Sequence, residues 1–550
     1  MAPVLLLLPV GLLAGGAALA ALFSRRLPVV ARLVAAVAAW SALAAVLVLW
    51  MPTRNALDVD LGDLGAGVRL AVRLDAVSFA FSLLILLPSA LLLTFAPLVA
   101  PVRSLLAIAA AVLAVQSAGL VLATFAIALG VGSVGLLLQG TEGGLQQGSR
   151  IRGEMAVLCL LWAATALHAI AGTDQFAFIP VARLPSPVVA LVVAGALLLS
   201  GLVPWRPWPV RFLERFAPAP AALASAVLFP IGFSLLLRMY QAGGGHYPSR
   251  WFNIGLGAFG AAIALGAALR GQAAATRRDY LAESLPMAGG FALLALALGT
   301  PAGVAACIAI LVAGALLIPL PALLPAQARR GAAITLALVT GLPPTLVFAT
   351  RLLGVEAAVT ANEVFAYAGI AVALAWLLGI AGAARALRLP SGDSTPGSAA
   401  GVLLTALLLA TGGVLMGALE VGIANPAATT VMASGATLLG GGLLAVDTAA
   451  GNWPAVSLGL LVFAGLAVLG LVGRDSVGAT LGVESKTAVA PIVTPTWRAW
   501  PDFVGTLVDS FEVPAEFRVT GWQSIDRAMA RASVWFWVAS FAVLAVALLR

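Results

Sequence analysis

Few side chains in the apolar part of this sequence could bind or release a proton. His168, in LLWAATALHAIAG, is the only histidine inside a predicted membrane helix, and imidazole titrates near neutral pH. Arg206 and Arg351 each follow a Gly/Pro-rich interruption of an apolar run, in GLVPWR and GLPPTLVFATR. These three residues are the candidates for a proton path. A hydrogen-bonded packing role is the alternative for His168, and arginine is a poor relay group because it does not deprotonate in proteins.

The carboxylates form no catalytic or metal-binding pattern. Glu283 lies one turn from Arg278, which predicts an interfacial ion pair. Four others fall near predicted helix ends, where carboxylates reach water: Glu356, Glu363, Glu420 and Asp447. Cys159 and Cys307 stand alone, without a CxxC pair or a nearby histidine cluster. We therefore expect no metal site, no cofactor and no enzyme activity of the chain by itself.

The composition places these residues in a membrane protein. Of 550 residues, 62% are hydrophobic and 9% charged, and the mean hydropathy is +1.08. A soluble globular protein has roughly 25% charged residues. The apolar runs are long and do not alternate, so helices rather than strands are expected to cross the lipid bilayer. The predicted fold is an all-α, polytopic membrane protein with about 16–17 transmembrane helices.

The spans are bounded by charges and turn residues. They lie near 3–22, 28–50, 76–98, 103–118, 120–139, 154–172, 187–204, 219–240, 251–269, 281–299, 302–320, 331–350, 364–384, 399–419, 427–446, 455–473 and 532–549.

The arginines predict the orientation of the chain. With the N-terminus outside, sixteen of the arginines before residue 400 fall on cytoplasmic ends and seven on the opposite ends. This excess agrees with the positive-inside rule. The same rule explains the net charge of +8, so we do not expect nucleic acid as a partner. The predicted location is the inner membrane of a bacterial cell.

Three motifs in a fixed order carry a family resemblance. GLVPWRPWPVRFLERFAPAPAALASAVLFPIGFSLLLR, RDYLAESLPMAGGFALLALALGTPAG and GLPPTLVFATRLL follow one another along the chain, and RLDAVSFAF precedes them. They resemble signatures of the antiporter-like membrane subunits of respiratory complex I (NADH-quinone oxidoreductase), Mrp-type cation/proton antiporters and membrane-bound hydrogenases. The resemblance implies two inverted five-helix repeats with discontinuous helices. Paired Gly/Pro interruptions independently favour such repeats.

The resemblance divides the chain into five regions. Residues 1–100 hold N-terminal helices, and 101–390 form the antiporter-like core, with repeats at roughly 101–240 and 251–390. Residues 391–473 hold further helices. A polar, interfacial segment follows at 474–531, and a last helix occupies 532–550.

The family's proton stations are replaced in this chain. In the family, lysines, glutamates and histidines at mid-membrane depth relay protons. The matching positions here cannot titrate: Gly130, Leu199, Pro230, Ile310, Gly314 and Ile318. Arg206 takes the place of a histidine, and Arg351 that of a lysine or glutamate. We expect Arg351 either to satisfy free carbonyls at the helix break or to reach water at the outer interface.

The resemblance implies a membrane subunit of a complex I-like or Mrp-like proton-translocating assembly. Without its stations, the chain is expected to be a scaffold or coupling subunit with a degenerate proton path. Its partners would be other membrane subunits and the lipid bilayer, and protons or cations if it conducts at all. One alternative is an ion or proton transporter that uses non-standard stations. The other is a purely structural membrane protein.

Overall fold

The computed structural model describes residues 3–432, with short gaps, and two strands at 446–448 and 451–453. The gaps are 53, 64–67, 97–99, 140–146, 182–183, 203–207, 246, 325–328, 344, 388 and 391–396. Arg206, the predicted polar segment and the predicted spans at 455–473 and 532–549 lie outside the described residues.

Helices make up almost all of the described structure. The first nine are α1 (Leu8–Ser24), α2 (Pro28–Trp50), α3 (Ala76–Phe95), α4 (Pro101–Gln116), α5 (Leu120–Gln139), α6 (Gln147–Ala171), α7 (Ser186–Ser200), α8 (Trp208–Arg215) and α9 (Pro218–Ala242). The next eight are α10 (Arg250–Ala273), α11 (Arg277–Ala282), α12 (Ser284–Ala297), α13 (Pro301–Leu317), α14 (Leu320–Leu323), α15 (Arg329–Thr340), α16 (Leu346–Ala361) and α17 (Glu363–Ala386). The last three are α18 (Ala399–Val414), α19 (Met416–Leu419) and α20 (Asn425–Val431).

The expectation of a multi-pass helical membrane protein is confirmed. Within the described residues, ten helices are long and apolar enough to cross a membrane, or eleven if the bent pair at 399–431 is one span. The predicted spans at 103–118 and 187–204 correspond to the shorter apolar helices α4 and α7. The predicted span at 331–350 is two helices, because α15 ends at Thr340 and α16 begins at Leu346.

Short polar residues decide where several helices begin. Asp75 precedes α3 and forms a capping box with Ser78, in which each side chain accepts from the other residue's amide. Thr345 caps α16, since its hydroxyl accepts from an amide of the first turn. These caps satisfy amides that the first helical turn leaves unpaired.

An antiparallel hairpin that the sequence analysis did not predict joins α2 to α3. Strand β1 (Leu57–Asp63) pairs with β2 (Arg69–Leu74), and the ladder is irregular between Asp60 and Gly62. The amide of Ala118, after α4, donates to the carbonyl of Ala71 at 2.9 Å. The hairpin therefore covers one end of the bundle, beside Asp75. Strands β3 (Val446–Thr448) and β4 (Gly451–Trp453) form a second, shorter hairpin.

Small residues allow neighbouring helices to approach closely. A Cβ placed on Gly290 of α12 would lie 2.6 Å from the carbonyl oxygen of Gly260 on α10. Backbones in contact at this distance leave no space for a side chain. Packing through glycine and alanine is the usual way for helices to associate within lipid.

Candidate functional site

Two interrupted helices organise the core of the protein. The first consists of α7 and α8 and the second of α15 and α16. Gly201 ends α7 with φ +68°, and Gly341 ends α15 with φ +71°. In both cases the glycine amide donates to the carbonyl three residues earlier, and the following leucine amide donates to the carbonyl five residues earlier. This is the Schellman cap. The two Gly/Pro interruptions are therefore helix ends of the same geometry.

Arg351 completes the hydrogen bonding at the end of α15. An α-helix leaves its last four carbonyls without intrahelical partners. The cap uses those of Ala337 and Leu338, at 3.2 and 3.1 Å. Nη1 of Arg351 donates to the carbonyl of Thr340 at 3.0 Å, and Nη2 donates to that of Val339 at 3.2 Å. Together, the cap and the guanidinium satisfy all four carbonyls.

The surroundings of Arg351 exclude an interfacial position. The residue is 2% exposed. Its guanidinium carbon lies 5.5 Å from the ring centroid of Phe291, a cation–π distance. Nε1 of Trp376 donates to the carbonyl of Thr340 at 2.6 Å, so this oxygen accepts two hydrogen bonds. The expectation that Arg351 lies at the break beside free carbonyls is confirmed, and the alternative at the outer interface is wrong.

The first break is apolar. Nε1 of Trp208 donates to the carbonyl of Leu198 at 3.0 Å. A cavity of about 50 Å³ borders Leu199, and none of its lining residues carries a titratable side chain. At the first break, the neutral indole of Trp208 thus donates to a helix-end carbonyl. At the second break, the guanidinium of Arg351 does so.

The second break is polar. A cavity of about 10 Å³ beside Arg351 is lined by Tyr280, Glu283, Ser284 and Thr340, among others. This volume is at the lower limit for one water molecule. The hydroxyl of Tyr280 donates to the carbonyl of Gly379 at 2.6 Å. Titratable groups therefore line the cavity at the second break, whereas the residues that line the cavity at the first break include none.

The ion pair of Glu283 differs from the prediction. Nε and Nη2 of Arg270, on α10, donate to the two carboxylate oxygens at 2.8 and 2.9 Å. Glu283 is 6% exposed, and the side chain of Arg270 is 16% exposed. Arg278 donates to the carbonyl of Phe216. The predicted partner, Arg278, was wrong because sequence spacing identifies only neighbours on the same helix. Arg270 lies on a different helix, α10, and meets Glu283 where the two helices cross.

All six positions that the resemblance gives as lost stations are buried: Gly130, Leu199, Pro230, Ile310, Gly314 and Ile318. Two of them lie at close contacts between helices. A Cβ placed on Gly314 would lie 3.1 Å from the Cβ of Ala288. A Cβ placed on Gly354 of α16 would lie 2.9 Å from Cδ1 of Ile310. Residues 310 and 314 of α13 thus form a packed contact with α12 and α16.

His168 lies on α6, away from the second break. It is half-buried, and among the described residues its Nδ1 has no hydrogen-bond partner. Its electrostatic partner is Asp174, just beyond the end of α6. Burial raises the pKa of Asp174, and the amide of Val121 and the nearby His168 partly offset this rise. Helix α6 packs mainly on α5 and α7, so the structure does not bring His168 and Arg351 together.

Two of the sequence motifs meet in an ion pair that the sequence analysis did not identify. Arg238, at the end of the LLLR motif, donates from Nη1 and Nη2 to the carboxylate of Asp75 at 2.6 and 2.8 Å. Nε of Arg73 lies 3.3 Å from the same carboxylate. Asp75 and Arg238 are 2% and 4% exposed. This bidentate pair links α9 to the start of α3.

A third cavity, larger than the two at the helix breaks, opens beside this ion pair. Its volume is about 290 Å³, and Asp60 and Arg69 of the hairpin and Gln241 of α9 contribute to its lining. Charges of both signs line the cavity, so water and small ions can approach Arg238 from this end of the bundle.

The fold is similar to that of subunits of several membrane complexes. The chain matches one chain of the Mrp complex from Dietzia sp. DQ12-45-1b with a TM-score of 0.70 and 20% identity, over 97% of this chain and 63% of that one. It matches a chain of the membrane-bound sulfane sulfur reductase, an archaeal respiratory membrane complex, with a TM-score of 0.73 and 16% identity, over 98% and 100% of the two chains. A chain of respiratory complex I from Thermus thermophilus matches with a TM-score of 0.63 and 20% identity, over 78% and 99%.

These comparisons show the fold of an antiporter-like membrane subunit. The chain spans less than two thirds of the length of the Mrp chain that it matches. No protein-family model and no curated protein matches the sequence.

Proposed function

We propose that the chain is an antiporter-like membrane subunit of a complex I-like or Mrp-like proton-translocating assembly, and that it serves there as a scaffold or coupling subunit. The shared fold supports membership of such an assembly. The buried, apolar stations support the absence of the usual proton relay.

The packing at Gly314 is the observation that carries the scaffold role. A lysine or histidine relay needs a side chain and water at this depth. Here a Cβ at Gly314 would lie 3.1 Å from the Cβ of Ala288 on α12, so a side chain at this position would require α12 to move by a few tenths of an ångström. This close contact favours packing over a relay side chain at the position where the resemblance implies a proton station.

The partners follow from the same fold. Other membrane subunits would pack against the exposed apolar helix faces, and the remaining faces would contact lipid. The excess of arginines at one set of helix ends supports an N-terminus outside and a bacterial inner membrane.

A reconstitution experiment tests the loss of the relay. The purified chain in sealed liposomes should give no more proton flux than empty liposomes, measured with an internal pH dye under an imposed potential. An ionophore added at the end of each run shows that the vesicles are tight. A flux that the wild type carries and that His168→Ala abolishes would contradict the proposal.

The second candidate function is transport through non-standard stations. The buried cluster of Glu283, Tyr280 and Arg351 around a small cavity favours it, since titratable groups persist at the second break. In this case the liposome flux would be present in the wild type and lost in Glu283→Gln.

A further inference from the structure

Glu420 lies at a sharp bend in the chain. Helix α18 and the segment Met416–Val431 meet at an angle of 87°. Just after the bend, Glu420–Ala424 forms a π-helical turn, in which the amide of Asn425 donates to the carbonyl of Glu420. π-Helical turns within longer helices frequently occur at functional sites.

The carboxyl group of Glu420 is buried without a partner. The residue is 1% exposed, and within the described part of the chain neither carboxylate oxygen has a hydrogen-bond partner. The prediction that Glu420 reaches water near a helix end is therefore wrong. The bend turns this part of the chain toward the protein interior.

Among the described elements that pack most closely on the π-helical turn of Glu420, none provides a counter-charge. The π-helical turn packs mainly against α13, α3 and the adjoining helices α19 and α20. The titratable side chain on these elements is the thiol of Cys307 on α13. Asp75 only precedes α3, and its carboxylate is paired with Arg238. A charged carboxylate in these surroundings would cost several kcal/mol, so Glu420 is expected to be neutral in this conformation.

We infer that Glu420 is a proton-binding site, whose buried carboxyl group holds a proton in this conformation. A single carboxylic acid can bind a proton without a path across the membrane. The inference goes beyond the proposed function, because it concerns one site and not the assembly.

The position of the bend links this site to the second break. A Cβ placed on Gly412 of α18 would lie 3.1 Å from Cδ2 of Leu346, the first residue of α16. The helix that leads into the bend is thus in direct contact with the second half of the interrupted helix.

A proton fits this site better than a metal ion. Hard cations in proteins are bound by several oxygen ligands. Within the described residues, no group of three or more His, Cys, Asp or Glu side chains could hold a metal ion.

Infrared spectroscopy of the full chain in detergent tests the proton. At neutral pH, the wild type should show the C=O band of a protonated carboxylic acid, and Glu420→Gln should lack this band. Glu363→Gln is the matched control because Glu363 is exposed in the first turn of α17, and it should keep the band. Identical spectra of wild type and Glu420→Gln would overturn the inference.

Chemical labelling supplies a second readout that needs no variant. A hydrophobic carbodiimide reacts with protonated carboxyl groups in apolar surroundings, and peptide mass spectrometry locates the adduct. We expect labelling of Glu420 and not of Glu363 at neutral pH, and less labelling of Glu420 in alkaline buffer. Absence of labelling at Glu420 would contradict the inference. Protection by sodium ions at constant pH would also overturn it, since the site would then bind a metal cation.

Discussion

At the residue scale, Arg351 supplies hydrogen-bond donors to the end of helix α15. Its guanidinium donates to the two carbonyls that the cap of α15 leaves free. A lysine lacks this planar fork, but its ammonium group has three donors that can serve the same carbonyls. The structure therefore supports a role for Arg351 in holding the break, which remains a prediction.

Substitutions of Arg351 test this role. Arg351→Leu should lower both the yield of assembled complex and the unfolding temperature. The carbonyl of Val339 would lose its donor, at a cost of about 1–3 kcal/mol, and that of Thr340 would keep only the hydrogen bond from Trp376. Arg351→Lys should keep the fold and assembly largely intact. Arg250→Leu, at an exposed arginine, is the control and should match the wild type. If Arg351→Leu also matched the wild type, the residue would not hold the break.

The ion pair of Asp75 predicts a large loss of stability on substitution. Asp75→Asn would leave Arg238 buried without its anion, with an expected cost of about 3–5 kcal/mol in the free energy of unfolding. Asp58→Asn is a suitable control, because Asp58 contacts Arg73 at 3.6 Å and its side chain is 58% exposed. Exposed pairs contribute about 0–1 kcal/mol. Denaturation of both variants in detergent gives the comparison, and equal effects would contradict the prediction.

The same carboxylate predicts sensitivity to acid. Burial by itself would raise the pKa of Asp75, but attraction by Arg238 and hydrogen bonds from Arg238 and Ser78 lower it to about 2. An unfolded aspartate has a pKa of about 3.9. The folded state thus binds this proton more weakly, so the stability is fully present above about pH 4 and is lost as the pH falls toward about 2. In that window the unfolding temperature should fall further for the wild type than for Asp75→Asn. Parallel profiles would show that another group is responsible.

At the element scale, the two helix breaks depend on glycine. A left-handed conformation costs a residue with a Cβ about 1–2 kcal/mol. At Gly341 an added Cβ would also lie 3.0 Å from Cγ1 of Val347 and 3.1 Å from the amide of Phe348. The cap and the start of α16 are therefore too close to accommodate a side chain.

Gly341→Ala should lower the unfolding temperature, because alanine is unfavourable in the left-handed conformation and its Cβ would lie too close to Val347 and Phe348. Gly11→Ala is the matched control, since Gly11 lies in α1 with no atom within 4 Å of an added Cβ. There alanine should be neutral or stabilising, because it has the higher helix propensity. Should both variants unfold at the same temperature, the strained cap would not contribute to stability.

At the scale of the whole molecule, the exposed apolar faces predict assembly. Trp251 is 80% exposed and Tyr367 is 75% exposed, and both lie on membrane-spanning helices. We expect an affinity-tagged chain, extracted in mild detergent from the membranes of its native cell, to co-purify with other multi-pass subunits of the same fold. Mass spectrometry of the purified material identifies these subunits. Purification of the chain alone, in a detergent that preserves other respiratory complexes, would favour a separate structural protein.

The liposome experiment and the tests of Glu420 address different scales. Proton binding at Glu420 is a local equilibrium, whereas flux requires a path across the whole molecule. A chain that binds a proton and yet conducts none would fit both proposals.

Local sequence determined the helices and the two breaks. Each of these follows from neighbouring residues: long apolar runs require helices in lipid, and glycine permits the left-handed cap that ends α7 and α15. The position of Arg351 at the second break was also predictable, since it follows Gly341 at a short distance along the chain.

Only the tertiary structure decided which distant groups meet. The pairing of Arg270 with Glu283, and of Arg238 with Asp75, depends on how helices cross, which no local spacing encodes. The same holds for Glu420, because a sharp bend after α18 converts a carboxylate near a predicted helix end into a buried one. How far a residue is buried in a membrane protein depends on the helices packed around it. This packing consists of contacts between residues that are far apart in the sequence.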